Sequence, residues 1–223
     1  MFIGHYAVAL AAKKAAPNTS LGTLLISVQL VDLLWPIMLL LGLEHVRIDP
    51  GNTVVTPLDF YDYPITHSLV GAVGWSVAFG LLYFAIRRYK RGALVVGLGV
   101  FSHWILDLIT HRPDLPLGFG GDVFFGFGLW NSLAGTLVVE LAILAIGLAV
   151  YLRSTAAKDR VGSYGFWLLT VLLSILYLGN MFGPPPPSEP AIVVAGLGAW
   201  LFVIWAYVVD RHRKNAEATA VAT

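Results

Sequence analysis

The stretch FSHWILDLITHRPDLP, residues 101–116, carries three side chains that commonly bind metals, His103, Asp107 and His111, at intervals of four residues. Four residues advance an α-helix by about 40° beyond one full turn, so the three side chains share one face. The residues between them are mostly apolar. The pattern predicts a buried helix that carries a polar stripe into apolar surroundings.

The composition is that of a membrane protein. The 223 residues are 57% hydrophobic and 12% charged, whereas soluble domains carry about 25% charged residues. The chain has no cysteine, which excludes disulfides and thiolate metal sites. The formal net charge of +1 gives no reason to expect a nucleic-acid partner. We therefore expect an all-α membrane protein.

Six stretches are apolar enough to cross a bilayer, because a spanning helix needs about 20 such residues. The proline-rich sequence GPPPPSEP ends the fifth span, since proline cannot continue a helix. The predicted spans are residues 21–43, 65–86, 94–109 with flanking residues, 129–152, 164–182 and 191–209.

The basic residues predict the orientation of these spans. They cluster in residues 13–14, 87–91, 153–160 and 211–214, which are alternate ends of the predicted helices. By the positive-inside rule these ends face the cytoplasm, and loops 44–64 and 112–128 lie outside. We expect a multi-pass protein of a bacterial-type inner (plasma) membrane with both termini cytoplasmic.

The first twelve residues, MFIGHYAVALAA, are apolar but too short to span. As a helix they would reach about 18 Å. They could insert into the bundle as a half-helix and bring His5 towards the middle of the membrane, or lie on the inner surface as an amphipathic helix. We predict insertion, because an apolar surface helix gives no reason for a histidine beside Gly4.

Ionisable residues inside a membrane are costly and usually functional. A single one, such as Asp32 or Glu140, can also serve only as a hydrogen bond between helices. His103 and Asp107 lie one turn apart and form a chelating pair. His111, at the end of its helix, could instead be an interfacial residue. The ionisable residues within or at the outer ends of the spans are Asp32, His67, His103, Asp107, His111 and Glu140.

The motifs GHYA, QLVDLLWP, ITHSL and SHWILDLITH resemble the inner-membrane-associated metal-dependent hydrolases described as LexA-binding. That family is similar to the zinc-dependent phospholipase C and single-strand-specific nuclease enzymes. The resemblance covers residues 2–116, the metal-site half of a single domain over residues 1–223; residues 117–223 supply C-terminal helices and a tail. It implies the metal ligands His5, Asp32, His67, His103 and Asp107.

The chain departs from the family pattern at two positions. Asp32 is followed by Leu-Leu-Trp where the family has Asp-x-Asp-His, and Asp62-Tyr63-Pro64 replaces a His-Arg-Gly run. A supporting acid and a phosphate-binding arginine are therefore missing from their usual places. The related soluble enzymes have a second His-x-x-x-Asp/Glu motif, and none follows residue 111 here.

The leading functional hypothesis is metal-dependent hydrolysis of a phosphoester in a lipid or lipid-linked substrate. Imidazoles and carboxylates suit Zn²⁺, and could also hold Mn²⁺ or Fe²⁺. Asp107 could bridge to a second ion bound by His5 and completed by His111 or the terminal amine. Asp107, His111 and Glu140 are the candidate catalytic residues. With no cysteine and no expected Ser-His-Asp arrangement, a metal-activated water is the expected nucleophile.

Two other functions are compatible with the same residues. An ion- or proton-coupled transporter could use Asp32, His103, Asp107 and Glu140 as a relay, although the chain has no repeated halves. In a non-catalytic scaffold, a metal would only hold the helices together.

Overall fold

The computed structural model describes residues 1–216 and is built almost entirely from α-helices. The helices are α1 Ile3–Ala15, α2 Leu21–Leu40, α3 Pro64–His67, α4 Leu69–Arg87, α5 Lys90–Thr110, α6 Leu133–Ser154, α7 Phe166–Phe182, α8 Glu189–Gly198 and α9 Trp200–Arg211. A π-helical turn, Val161–Gly165, precedes α7, and a 3₁₀ turn, Leu129–Asn131, precedes α6.

Six of these helical segments are long and apolar enough to cross a membrane, counting Val161–Phe182 and Glu189–Arg211 as one segment each. This agrees with the six predicted apolar segments and the all-α class. Several predicted bounds are wrong by a few residues. The predicted span 65–86 is divided, because Ser68 adopts an extended conformation and its Oγ accepts a hydrogen bond from the Gly71 amide at 2.9 Å. His67 therefore ends the short helix α3.

The first helix lies inside the bundle. It packs against α2, α5 and α6, and most of its residues are buried, His5 completely. The approach of α6 is close enough to require glycine at position 147, where an added Cβ would lie 2.5 Å from the Ala7 carbonyl oxygen. The structure thus has the packed arrangement predicted for the N-terminal segment and not the surface arrangement.

Short antiparallel strand pairs cover the two ends of the bundle. Strands β1 His45–Ile48 and β2 Leu58–Asp62 pair in the α2–α3 connection, and β3 Leu115–Pro116 pairs with β4 Phe124–Phe125 after α5. At the opposite end β5 Thr155–Ala157 pairs with β6 Arg213–Asn215. The main apolar core lies between these ends and is formed by α1, α2, α5, α6, α7 and α9.

Candidate metal centre

Helix α5 presents the predicted polar stripe to the interior. The Nε2 atom of His103 lies 3.0 Å from Oδ2 of Asp107, one turn later. The helix ends at Thr110, and His111 follows in an extended conformation with its Nε2 3.9 Å from the same oxygen. The three side chains are therefore within reach of one another, with Asp107 between the two histidines.

One ligand group joins three helices. Asp32 of α2, His67 of α3 and His103 of α5 offer ligand atoms that all lie within 4.8 Å of one another. Oδ1 of Asp32 is 3.3 Å from Nε2 of His67 and 3.6 Å from Nε2 of His103. Ligands of a tetrahedral zinc ion lie about 2 Å from the metal and therefore about 3.3 Å from one another. The spacing fits the ligand shell of one such ion.

A second ligand group shares His103 with the first. It consists of His5 of α1 together with His103 and Asp107, again with ligand atoms within 4.8 Å of one another. Nε2 of His5 lies 3.1 Å from Oδ1 of Asp107, and the His5 and His103 rings stack with centroids 3.7 Å apart. The nitrogen of Met1 also contacts Oδ1 of Asp107, at 2.5 Å. One oxygen of Asp107 thus contacts Met1 and His5, and the other lies closest to His103.

The ring of His103 is oriented by the backbone of α2. Its Nδ1 lies 2.7 Å from the Val28 carbonyl oxygen, an acceptor, so Nδ1 carries the proton and Nε2 presents a lone pair to the carboxylates. Nε2 is buried and has no hydrogen-bond donor among residues 1–216. A histidine held by a carbonyl through one nitrogen, with the other nitrogen unpartnered, is typical of a metal ligand.

The ring of His67 is oriented by a carboxylate that acts through a threonine. Glu44 is buried and accepts hydrogen bonds from the Thr66 amide at 2.8 Å and from the Thr66 hydroxyl at 2.7 Å. The same hydroxyl lies 2.7 Å from Nδ1 of His67 and, since its own proton goes to Glu44, it accepts the Nδ1 proton. Nε2 of His67 therefore presents its lone pair towards Asp32.

His111 is held by Asp114. Its Nδ1 lies 2.9 Å from Oδ1 of Asp114, which also accepts the Tyr63 hydroxyl at 3.2 Å. Burial and the neighbouring carboxylates, Asp114 foremost, raise the pKa of Tyr63 well above its ordinary value, so the phenol stays protonated and remains a donor. Arg112 donates to Asp114 and to Asp59, which ties this group to the β1–β2 hairpin.

Glu140 does not belong to either ligand group among the described residues. One of its oxygens accepts the backbone amides of Phe2 at 2.9 Å and Gly4 at 3.1 Å. These are among the amides that a helix leaves unpaired at its start. The contacts make Glu140 a cap for α1, the helix that carries His5, and the catalytic role predicted for Glu140 stays a prediction.

Sequence reasoning did not identify the residues that orient the ligands. Thr66 precedes His67 directly and Asp114 follows His111 by three residues, so both could have been proposed as local partners. Glu44 gave no such signal, because it lies in a loop 22 residues before Thr66 and only the fold brings the two together.

The site opens at Asp32. The Asp32 side chain is 35% exposed, whereas those of His67, His103 and Asp107 are at most 7% exposed. The ligand atoms of both groups are nitrogen and oxygen, and these suit zinc, manganese or iron. A scan of protein-family models and searches of curated proteins and of solved structures find no match to this chain.

Proposed function

We propose that the protein is a membrane-bound metal-dependent hydrolase that cleaves a phosphoester in a lipid or lipid-linked substrate, as its resemblance to the LexA-binding hydrolases implies. The proposal rests mainly on Asp107, whose Oδ1 lies 3.1 Å from His5 and whose Oδ2 lies 3.0 Å from His103. A carboxylate in this position suits a bridge between two cations. His103 and Asp107 belong to the group with His5, and His103 also belongs to the group with Asp32 and His67.

The chemistry would be divided between the ion and the side chains. When bound, a divalent ion supplies Lewis acidity that activates water and polarises a phosphoryl oxygen. Asp32, His67, His103 and Asp107 would hold it, and His5 would hold a second one. His111 would exchange a proton with the reacting oxygens through Nε2, because Asp114 fixes the proton on Nδ1.

No cysteine or histidine-bonded serine competes for this role in the described structure. The Thr66 hydroxyl contacts His67 but donates its proton to Glu44. The chain has no cysteine. No serine hydroxyl is hydrogen-bonded to a histidine within residues 1–216: the Oγ atoms of Ser27, Ser76, Ser102, Ser154 and Ser174 donate to backbone carbonyls. An activated water is therefore the nucleophile we propose.

The position of the opening supports a lipid substrate. Asp32 is the exposed ligand, and it lies within a helix that is apolar enough to cross a membrane. A headgroup phosphate could reach Asp32 while its acyl chains remain beside the helices. This entry route would spare the chains any exposure to water.

The proposal is tested with purified full-length protein and phospholipid or phosphatidic acid in mixed micelles, by following release of phosphate or headgroup. We expect hydrolysis that a chelator removes and that added Zn²⁺ or Mn²⁺ restores. His103→Ala should lower the rate at least about 100-fold, because loss of a ligand disrupts the ion that lowers the barrier. His45→Ala, a change in the exposed hairpin, should leave the rate unchanged. Equal rates for both variants would refute the proposal.

One observation favours a scaffold as the second candidate. The potential ligands come from α1, α2, α3 and α5, so ions bound at the two groups would together join four helices. A scaffold would bind the metal and lose thermal stability on chelation, but it would release no product from any lipid phosphoester. The same assay, combined with a melting curve, separates the two functions.

A further inference from the structure

A large cavity opens at the end of the bundle opposite the β1–β2 hairpin. Its volume is about 670 Å³, and it lies between the C-terminal end of α1, the start of α2, the end of α4 and the β5–β6 strand pair. Thr23 of α2 lines it, nine residues before Asp32, a separation of about 14 Å along the helix. The cavity is therefore separate from the candidate metal centre.

The polar side of the cavity is strongly basic. Five cationic side chains line it, with a single carboxylate, Asp210, among its described lining residues. Asp210 already binds Lys13 at 2.7 Å, so it balances one charge. The five cationic residues are Lys13, Arg87, Lys158, Arg213 and Lys214. The remaining positive charge favours an anionic ligand.

One of these cations is fixed without a carboxylate partner. Arg213 is buried and donates to the Thr155 hydroxyl at 2.9 Å and the Gly162 carbonyl at 2.8 Å. Its guanidinium also lies 5.0 Å from the ring centres of both Tyr151 and Phe166. Among residues 1–216 its charge is held by neutral groups only. The fold thus keeps a buried positive charge at the wall of the cavity.

The other side of the cavity is apolar and continues onto the outer face of the bundle. Ile26, Phe79, Leu82 and Ile86 line it, from α2 and α4. Leu82 and Ile86 are more than half exposed in the isolated chain, on helices apolar enough to span a membrane. An ion alone would use only the basic side, whereas an amphiphile would use both.

We infer that this cavity binds the headgroup of an anionic phospholipid, with an acyl chain against the α2–α4 wall. Basic pockets between membrane helices recognise lipid phosphates through their Lys and Arg side chains. The volume is within the range of small-molecule sites. The orientation predicted from the loops places this end at the cytoplasmic leaflet. The inference does not depend on the hydrolase proposal.

The test measures lipid binding to delipidated, detergent-purified full-length protein by native mass spectrometry and thermal shift. The probes are phosphatidylglycerol, phosphatidylcholine with the same acyl chains, and inorganic phosphate. We expect phosphatidylglycerol to bind and to raise the melting temperature, and the other two to do neither at the same concentration. Equal effects of phosphatidylcholine would overturn the anionic specificity, and equal effects of inorganic phosphate would overturn the lipid assignment.

A pair of double variants tests the position of the site. Arg87→Gln/Lys214→Gln removes two exposed cavity cations and should weaken phosphatidylglycerol binding about thirtyfold, because each basic residue beside an anionic lipid contributes about fivefold. Arg91→Gln/Arg160→Gln changes the net charge equally at exposed positions outside the cavity lining and should leave binding unchanged. Equal weakening by both pairs would refute the site. His103→Ala should retain the lipid, which separates this result from any failure of the hydrolase proposal.

Discussion

His103 and Asp107 are joined through the histidine nitrogen that the rest of the structure leaves unpartnered. Nε2 of His103 lies 3.0 Å from Oδ2 of Asp107, and Nδ1 of the same ring is bound to the Val28 carbonyl. A buried nitrogen lone pair that faces two carboxylates is a costly arrangement, which either a proton on the nitrogen or a metal cation between the groups relieves. This relationship supports a metal centre independently of any resemblance.

Metal content tests this centre directly. Protein purified without chelator should carry at least about one equivalent of divalent metal, and His103→Ala or Asp107→Ala should lose most of it, because the directly bound ligands dominate affinity. Elemental analysis of the purified variants measures this. His45→Ala is the matched control, since His45 pairs with Asp62 in the exposed hairpin. Metal retained in full by both site variants would rule the centre out.

The hydrogen bonds that link Glu44, Thr66 and His67 predict that metal affinity can fall without the loss of any ligand. Thr66→Val keeps the shape of the side chain but removes the hydroxyl that accepts the Nδ1 proton of His67. We expect metal affinity to fall about 10- to 100-fold, because the partners of a ligand fix its orientation and basicity. Competition with a chelator of known affinity measures the change.

Thr53→Val provides the control for that experiment. Thr53 is also a buried threonine in the α2–α3 connection, but its hydroxyl donates to the Thr56 carbonyl and not to a histidine. Affinity lowered equally by both changes would mean that the connection as a whole, and not the Thr66 hydroxyl, controls the site.

The periodic and apolar parts of the fold were predictable from the sequence. Runs of apolar residues gave six helical segments, and the four-residue spacing on α5 gave the buried face of His103 and Asp107. The start of α4 at Leu69 was not predictable from hydropathy averaged over a span, because only the Ser68 cap separates α4 from the short helix α3.

The environment of the site depended on contacts distant in sequence. Glu140 reads as an isolated acid in an apolar helix, and its role follows only from the amides of Phe2 and Gly4, more than 130 residues away. Likewise, Glu44 lies just before β1 and Asp59 lies in β2, so their contacts depend on how the β1–β2 hairpin folds. Such contacts have no periodic signal in one sequence.

The predicted topology can be tested by single cysteines, because the chain has none of its own. Tyr61→Cys lies on the exposed side of β2 and Arg88→Cys at the exposed α4–α5 turn, at opposite ends of the bundle. In intact cells a membrane-impermeant maleimide should label position 61 and not position 88, since the basic clusters predict a cytoplasmic turn. Labelling of position 88 in permeabilised membranes shows that this cysteine is reactive. Labelling of position 88 and not of position 61 in intact cells would mean that the topology is inverted.

Two substitutions near the packed helix α1 distinguish the loss of a proposed ligand from the loss of the group that positions it. His5→Ala removes a side chain that contacts Asp107 at 3.1 Å, and Glu140→Gln alters only the cap on the Phe2 and Gly4 amides. We expect His5→Ala to abolish hydrolysis and to melt near the temperature of the chelated, unsubstituted protein, because it deletes the proposed ligand of the second ion. Glu140→Gln should lower stability by about 1–3 kcal/mol, since hydrogen bonds to a charged acceptor are replaced by weaker ones to an amide.

The two variants are compared by metal stoichiometry, rate and melting temperature measured on the same preparations. If α1 only fills space, His5→Ala should cost stability as a cavity does, about 2–5 kcal/mol for a large side chain, and leave the metal content unchanged. If His5 is a ligand, the protein should lose metal and rate while its melting temperature stays near that of the unsubstituted protein after chelation. His212→Ala serves as control, because His212 pairs with Asp159 at the opposite end of the bundle. The change in bound metal per protein on His5→Ala therefore decides whether His5 binds the second ion or only packs against His103.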